Sequence, residues 1–204
     1  KFDGDAEKFF LFVESRRIRN AFQFDPLYAV NVSQVDPLPH QIDAVYYHAL
    51  KNPRLRFLIA DDPGAGKTIM AGLIIKELKY RGLIKKILIV APGHLKYQWL
   101  REMKEKFHEH FKIADRDMMD SSWGQNIFDE EDHLITSIDF AKQDDVVSSI
   151  KESHWDLIVV DEAHKMSAYK YGEKITKTRR YVFGETASEI SDYLLQSSRK
   201  GHQP

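Results

Sequence analysis

The stretch Arg56-Phe57-Leu58-Ile59-Ala60-Asp61-Asp62-Pro63-Gly64-Ala65-Gly66-Lys67-Thr68 decides the fold. Up to Ala60 it is short, mostly apolar and β-compatible, and it stops at turn residues, as a strand of a doubly covered parallel sheet does. From Gly66 onward the spacing becomes helical, with Ile69, Leu73, Ile74 and Leu78 falling on one side. Strand, glycine-rich loop and helix form the setting a phosphate-binding loop requires. Gly64 and Gly66 carry no Cβ, which leaves the chain free to curl with its N–H groups aimed at phosphate oxygens. The first turn of the next helix adds further N–H donors and the positive end of its dipole. In such a loop the lysine reaches the β- and γ-phosphates and the hydroxyl ligates magnesium. The nucleotide-binding candidates are therefore Asp62, Pro63, Gly64, Ala65, Gly66, Lys67 and Thr68. The general pattern has glycine where this chain has Asp61, and the bland alternative is a turn that only joins strand to helix.

A second run narrows the choice. Trp155-Asp156-Leu157-Ile158-Val159-Val160 reads as another buried strand, and Asp161-Glu162-Ala163-His164 follows at its C-terminal end. In open α/β sheets ligands collect at that end. Asp161 is placed to hold magnesium through its water shell, and Glu162 to orient and deprotonate an attacking water. Lys67, Asp161 and Glu162 are the catalytic candidates, and Thr68 and Asp161 the metal-binding ones. Alone, Asp-Glu-Ala-His also suits a helix start with acidic first-turn residues.

Taken in order, these residues resemble the superfamily 2 helicase-like ATPases, specifically the Swi/Snf-type DNA translocases. That family commonly has aspartate at the position of Asp61. Leu38-Pro39-His40-Gln41 resembles the element whose glutamine reads adenine, which implicates Gln41. Ile87 to Leu95, continuing to Gln98, Trp99 and Glu102, resembles the first DNA-contacting motif. Leu134-Ile135-Thr136-Ser137 and Asp139-Phe140-Ala141 resemble the next. The likeness is strongest to bacterial ATPases associated with RNA polymerase and extends to phage-defence ATPases. It implies a RecA-like α/β domain that binds ATP and Mg2+. It also implies a second RecA-like lobe in the same protein, double-stranded DNA or RNA as activator, and RNA polymerase or a defence complex as partner. Alternatives within reach are a restriction or defence motor and a nonhydrolysing nucleotide switch. A small-molecule kinase leaves Gln41 and Ala91-Pro92-Gly93 unexplained.

Composition sets the outer bounds. The 204 residues are 43% hydrophobic, enough for one core. There is no cysteine, which excludes disulfides and cysteine zinc sites. No apolar run is long enough to span a bilayer and no signal pattern opens the chain, so a cytoplasmic setting without membrane is expected. A net charge of −1 argues against strong nonspecific nucleic-acid affinity of this piece alone. His108 and His110, the close histidine pair, read as a solvated helix end rather than metal ligands. Starting at Lys1, the chain reads as a piece of something longer.

The remaining elements are assigned by pattern. Residues 1–34 are expected to form a helical extension, with a helix over 5–22 whose Arg16, Arg17 and Arg19 lie on a solvated face or touch DNA. Residues 35–204 form the ATP-binding domain, with helices over 41–50, 94–107, 140–152 and 185–195 and strands over 86–90, 133–137 and 155–160. Asp129 to Asp132 read as a solvated loop. The cations between 165 and 181, interleaved with Tyr169, Tyr171 and Tyr181, suit a nucleic-acid backbone or a solvated loop. Alternation of strands with helices implies a right-handed, mostly parallel sheet covered on both faces. The family's Ser/Thr-Ala-Thr strand is not found before Pro204, so the domain is expected to be truncated. The P-loop and Asp-Glu strands should then pair directly, or leave a slot for another chain.

Overall fold

The computed structural model describes residues 5–22, 25, 27–52, 55–60, 64–166, 168–171 and 174–198, with the backbone alone for 18–22, 168–171 and 174–177. The strands are β1 (Arg56–Ala60), β2 (Ile87–Ala91), β3 (Lys112–Ala114), β4 (His133–Ser137), β5 (Trp155–Val160), β6 (Ala168–Tyr171), β7 (Lys174–Lys177) and β8 (Ser191–Ser198). Six of them form one sheet in the order β1-β8-β5-β2-β4-β3. Every pairing in it is parallel. β6 and β7 form a separate antiparallel hairpin.

The helices are α1 (Ala6–Phe22), α2 (Tyr28–Val32), α3 (Pro39–Ile42), α4 (Lys67–Tyr80), α5 (Lys96–Phe107), α6 (Arg116–Ser121), α7 (Ile127–Glu130), α8 (Ile138–Ala141), α9 (Asp144–Glu152) and α10 (Arg179–Ile190). Successive strand residues point to opposite faces, and the core divides accordingly. Ile87, Ile89, Leu157, Val159 and Leu195 pack with α4, α5 and the helices near the N-terminus. Leu88, Val90, Ile158, Val160 and Leu194 pack with α7, α9 and α10 on the other face. The expected three-layer α/β arrangement is therefore present.

Two tight contacts fix the first layer. Gly72 of α4 faces the Phe107 ring so closely that an added Cβ would lie 2.2 Å from Cε2. Glu77, also on α4 and 1% exposed, accepts from the Ala29 amide at 2.9 Å, the Tyr46 hydroxyl at 2.8 Å and Arg81 at 3.3 Å. That carboxylate ties α4 to α2 and to the turn Asp43–Ala49, a π-helical continuation of α3. Burial, reinforced by the bond to Glu77, pushes the Tyr46 hydroxyl far above the ordinary phenol range.

Several expectations need correction. The slot between the P-loop strand and the Asp-Glu strand is filled by this chain's own β8, so β1 and β5 do not pair directly and the sheet has no gap there. The expected helix over 185–195 ends at Ile190. Tyr193, Leu194 and Leu195 lie in β8, which satisfies the backbone groups of both neighbours. The helix over 140–152 is two helices, α8 and α9. Asp129 and Glu130 close α7 rather than lying in a loop. α1 forms as expected, but Phe9, Phe10, Leu11 and Phe12 on it are more than half exposed. Among the described residues no helix is long and apolar enough to cross a membrane.

Candidate nucleotide site

Because all six strands run the same way, their C-terminal ends share one edge, and the candidate residues are brought there. β1 leads through residues outside the described set, including Asp61, Asp62 and Pro63, to Gly64, Ala65 and Gly66, and α4 begins at Lys67. Gly64 and Gly66 adopt φ of 87° and 79°, left-handed backbone that a side chain resists. A Cβ on Gly64 would meet nothing within 4 Å, so the space beside it is open. One on Gly66 would sit 2.2 Å from Gln41 Nε2.

Gln41 is 3% exposed and folded against this loop. Its amide donates to the Ala65 carbonyl at 2.9 Å, and its own oxygen accepts from the Leu38 amide at 3.0 Å. The Leu38-Pro39-His40-Gln41 element and the glycine loop, distant in sequence, thus form one body.

β5 delivers Asp161 and Glu162 to the same edge, with β8 between them and β1. At a strand spacing of about 4.8 Å, β1 and β5 lie roughly 10 Å apart, room for a triphosphate tail and a cation. Asp161 is 8% exposed and held on both oxygens. Oδ2 accepts from the Trp99 indole at 3.0 Å, and Oδ1 from Ser197 Oγ at 2.6 Å and the Glu162 amide at 2.9 Å. Glu162 has φ of 55°, a strained conformation for a side-chain-bearing residue of the kind that gathers at functional sites. Its Oε2 lies 3.3 Å from His164 Nε2 and 3.9 Å from Lys165 Nζ. On its other side His164 Nδ1 is 3.3 Å from Ser198 Oγ, so the histidine bridges β8 and Glu162. A fixed carboxylate and the Thr68 hydroxyl are the hard oxygen donors Mg2+ prefers, and with the open space beside Gly64 their chemistry fits a Mg·nucleotide.

The other expected segments lie along the same edge. Gly93, after β2, approaches Ser137 at the end of β4, where a Cβ on Gly93 would be 3.9 Å from the serine's. Thr136 is buried, its hydroxyl donating to the Ala114 carbonyl at 2.9 Å, and Ser137 caps α8 through the Phe140 amide at 3.1 Å. Asp139 pairs with Lys142 and Arg180, each at 2.6 Å, which hold its carboxyl below the usual carboxylate range. The side chains of the hairpin lie outside the described structure, and so does the expectation for Tyr169 and Tyr171. His108 and His110 are exposed at the end of α5, as expected.

Sequence reasoning missed Ser197, Ser198 and the bond from Trp99. A short apolar run ending in hydroxyls, Tyr193 to Ser198, was the available signal for the first two.

Residues 34–189 match the family described as "Type III restriction enzyme, res subunit". RNA polymerase-associated protein RapA of Yersinia pestis (strain Pestoides F) is 35% identical over 164 residues, 78% of this chain and 16% of the relative. RapA of Yersinia pseudotuberculosis serotype O:1b (strain IP 31758) matches at the same 35%, so the chain spans a sixth or less of these relatives' length, 16%. Among solved structures, the Sulfolobus solfataricus SWI2/SNF2 ATPase core in complex with dsDNA aligns with a TM-score of 0.65 at 21% identity, covering 82% of this chain and 32% of that one. The same organism's SWI2/SNF2 ATPase core domain aligns at 0.60 and 22% identity, again covering 82% and 32%. The chain belongs to the family described as type III restriction enzyme, res subunit, and it has the fold of the SWI2/SNF2 ATPase cores.

Proposed function

We propose that this lobe binds Mg·ATP between the Gly64–Thr68 loop and Asp161, and that the whole protein hydrolyses it when nucleic acid, double-stranded DNA in the first instance, is bound. The observation that carries the reading is the shared edge: loop and carboxylates converge there with one strand between them, and that strand ties itself to Asp161 through Ser197. Gln41 reads the adenine, the loop amides and Lys67 grip the phosphates, and Thr68 and Asp161 hold the metal. Glu162 takes the proton from a water aligned on the γ-phosphate, giving ADP and inorganic phosphate. Magnesium, when bound, neutralises charge on the phosphate oxygens. The surface positions Gly93 and His94, after β2, and Ser137, which ends β4, face the nucleic acid.

The family's charge-stabilising arginines belong to a second lobe, and losing such an arginine lowers the rate by about 10³–10⁵. Residues 1–204 alone are therefore expected to bind ATP weakly and turn it over negligibly. In the full-length protein, Glu162→Gln should retain ATP binding and abolish turnover, while Lys67→Ala should weaken binding itself. Normal hydrolysis by either variant contradicts these roles. ATPase assays with double-stranded DNA, single-stranded DNA and RNA as competing activators identify the nucleic acid.

The name of the Yersinia relatives supports RNA polymerase as a partner, testable by co-purification of the full-length protein with the polymerase. The description of the matched family supports a second reading, a restriction or defence motor. A nuclease site elsewhere in the full-length chain would favour it.

A further inference from the structure

Trp99 stands at the nucleotide site, yet no step of ATP binding or hydrolysis described for the lobe uses it. It lies on the first turn of α5, directly after the loop Pro92–Leu95. The Leu95 amide donates to the Pro92 carbonyl at 2.8 Å, and the Trp99 amide to the Leu95 carbonyl at 2.9 Å. The ring is 3% exposed and packed in the core beneath the sheet edge, so its orientation is fixed. Its indole N–H donates to Asp161 Oδ2 at 3.0 Å.

A buried tryptophan needs an acceptor, and a backbone carbonyl is enough. Trp155 illustrates that: it is fully buried, and its indole donates to the Ile150 carbonyl at 3.2 Å. Trp99 instead uses the carboxylate expected to hold the metal. An indole nitrogen is a donor only, so Oδ2 is held as the acceptor and its direction is set by the ring. With Ser197 and the Glu162 amide on Oδ1, it pins the plane of the carboxylate from the opposite side. The Asp161 amide also donates to the Val90 carbonyl at 2.8 Å, so its backbone is referenced to β2 while its side chain is referenced to the helix beyond the loop.

We propose that Trp99 is a positioning residue for the metal site: its indole N–H sets the Asp161 carboxylate for Mg2+ and ties that setting to the loop Pro92–Leu95. This rests on the Mg·ATP reading of the site. Hydrogen-bond partners behind a metal ligand commonly control affinity by about 10–100-fold. A displacement of the loop is carried into the first turn of α5 and from there to Oδ2. Occupancy of the loop by a nucleic acid backbone and Mg2+ affinity are then coupled.

The test is a Mg2+ titration of fluorescent ATP-analogue binding to the full-length protein, with a parallel measurement in EDTA. Trp99→Phe removes the N–H and keeps most of the ring. Substituting β-(3-benzothienyl)alanine at position 99 keeps the bicyclic shape and removes only the donor, which covers the case in which the phenylalanine variant folds poorly. Trp155→Phe, which loses a buried indole donor away from the site, is the control. Both changes at 99 should raise the Mg2+ concentration for half-saturation about tenfold or more, leave metal-free nucleotide binding unchanged, and leave Trp155→Phe like wild type. An unchanged Mg2+ dependence in the benzothienyl variant overturns the proposal. So does an equal loss of binding in EDTA, which would make Trp99 a structural residue. If wild-type protein itself gains no affinity from Mg2+, the metal reading fails first and this inference falls with it.

Discussion

Glu77→Ala is expected to be among the most damaging single changes in the lobe, although Glu77 lies away from the candidate site. The carboxylate is 1% exposed and serves three donors. Truncation leaves the fully buried Ala29 amide without its acceptor, at a cost of about 1–3 kcal/mol. The Tyr46 hydroxyl is only half-buried and recovers some hydration, so its loss is set at about 1 kcal/mol. One methylene leaves the core, worth about 0.8 kcal/mol. Arg81 is 41% exposed and rehydrates, so its ion pair adds little. Relief of carboxylate burial offsets part of this, leaving a net loss of roughly 2–3 kcal/mol. Glu77→Gln should be much milder, about 1–1.5 kcal/mol, because one amide oxygen still accepts from both Ala29 and Tyr46 and only the charge is lost. Urea unfolding of the three proteins, with the slope unchanged, measures the difference. The alanine variant should also melt roughly 10 °C lower. A Glu77→Ala protein within about 1 kcal/mol of wild type, or a glutamine variant as unstable as the alanine one, would refute the assignment of Glu77 as the acceptor joining these helices.

Gly72→Ala gains about 1 kcal/mol of helix propensity but forces the fully buried Phe107 ring aside, so a net destabilisation of about 1–2 kcal/mol is expected by urea denaturation. Gly66→Ala places a methyl against Gln41 at a left-handed position. ATP affinity should fall at least tenfold, about 1.4 kcal/mol, while Gly64→Ser, with open space at its Cβ, should lose less; equilibrium binding to the full-length protein decides. Burial, aided by Lys79, holds the His133 imidazole below its ordinary value of 6.5, so its contribution is complete above that pH and is lost as pH falls below it. Thermal melts of His133→Phe should therefore show a shallower loss of stability on acidification than wild type does.

The strands around the site were legible because each is an apolar run stopped by turn or acidic residues. β4 and β5 match their expected bounds, and β2 is displaced by one residue. β3 escaped notice because three residues carry no pattern. β8 was misread for a physical reason. Ile190, Leu194 and Leu195 fit a helical spacing, and so short an apolar run cannot be told from a helix by periodicity alone. Its polar end also hides it: Ser197 and Ser198 are buried because their hydroxyls find Asp161 and His164, partners that only the folded sheet supplies. The glycines, Lys67 and the Asp161-Glu162 pair carried their chemistry openly. The bond from Trp99 did not, since no spacing connects an indole on α5 with a carboxylate at the end of β5.

The place of β8 has a bearing on how the chain acquires its shape during synthesis. Among the described residues, β1 is bonded within the sheet to β8 alone, with Arg56 opposite Leu194 and Ala60 opposite Ser198. A ribosome makes β8 only after the whole stretch that separates it from β1 has been added. Until the later segment emerges, the phosphate-loop strand has neither edge occupied, and its sticky backbone is open to the wrong neighbours. Closing so long a loop is slow. Nascent chains halted before residue 191 should thus need chaperone shelter, and those released beyond 198 should not.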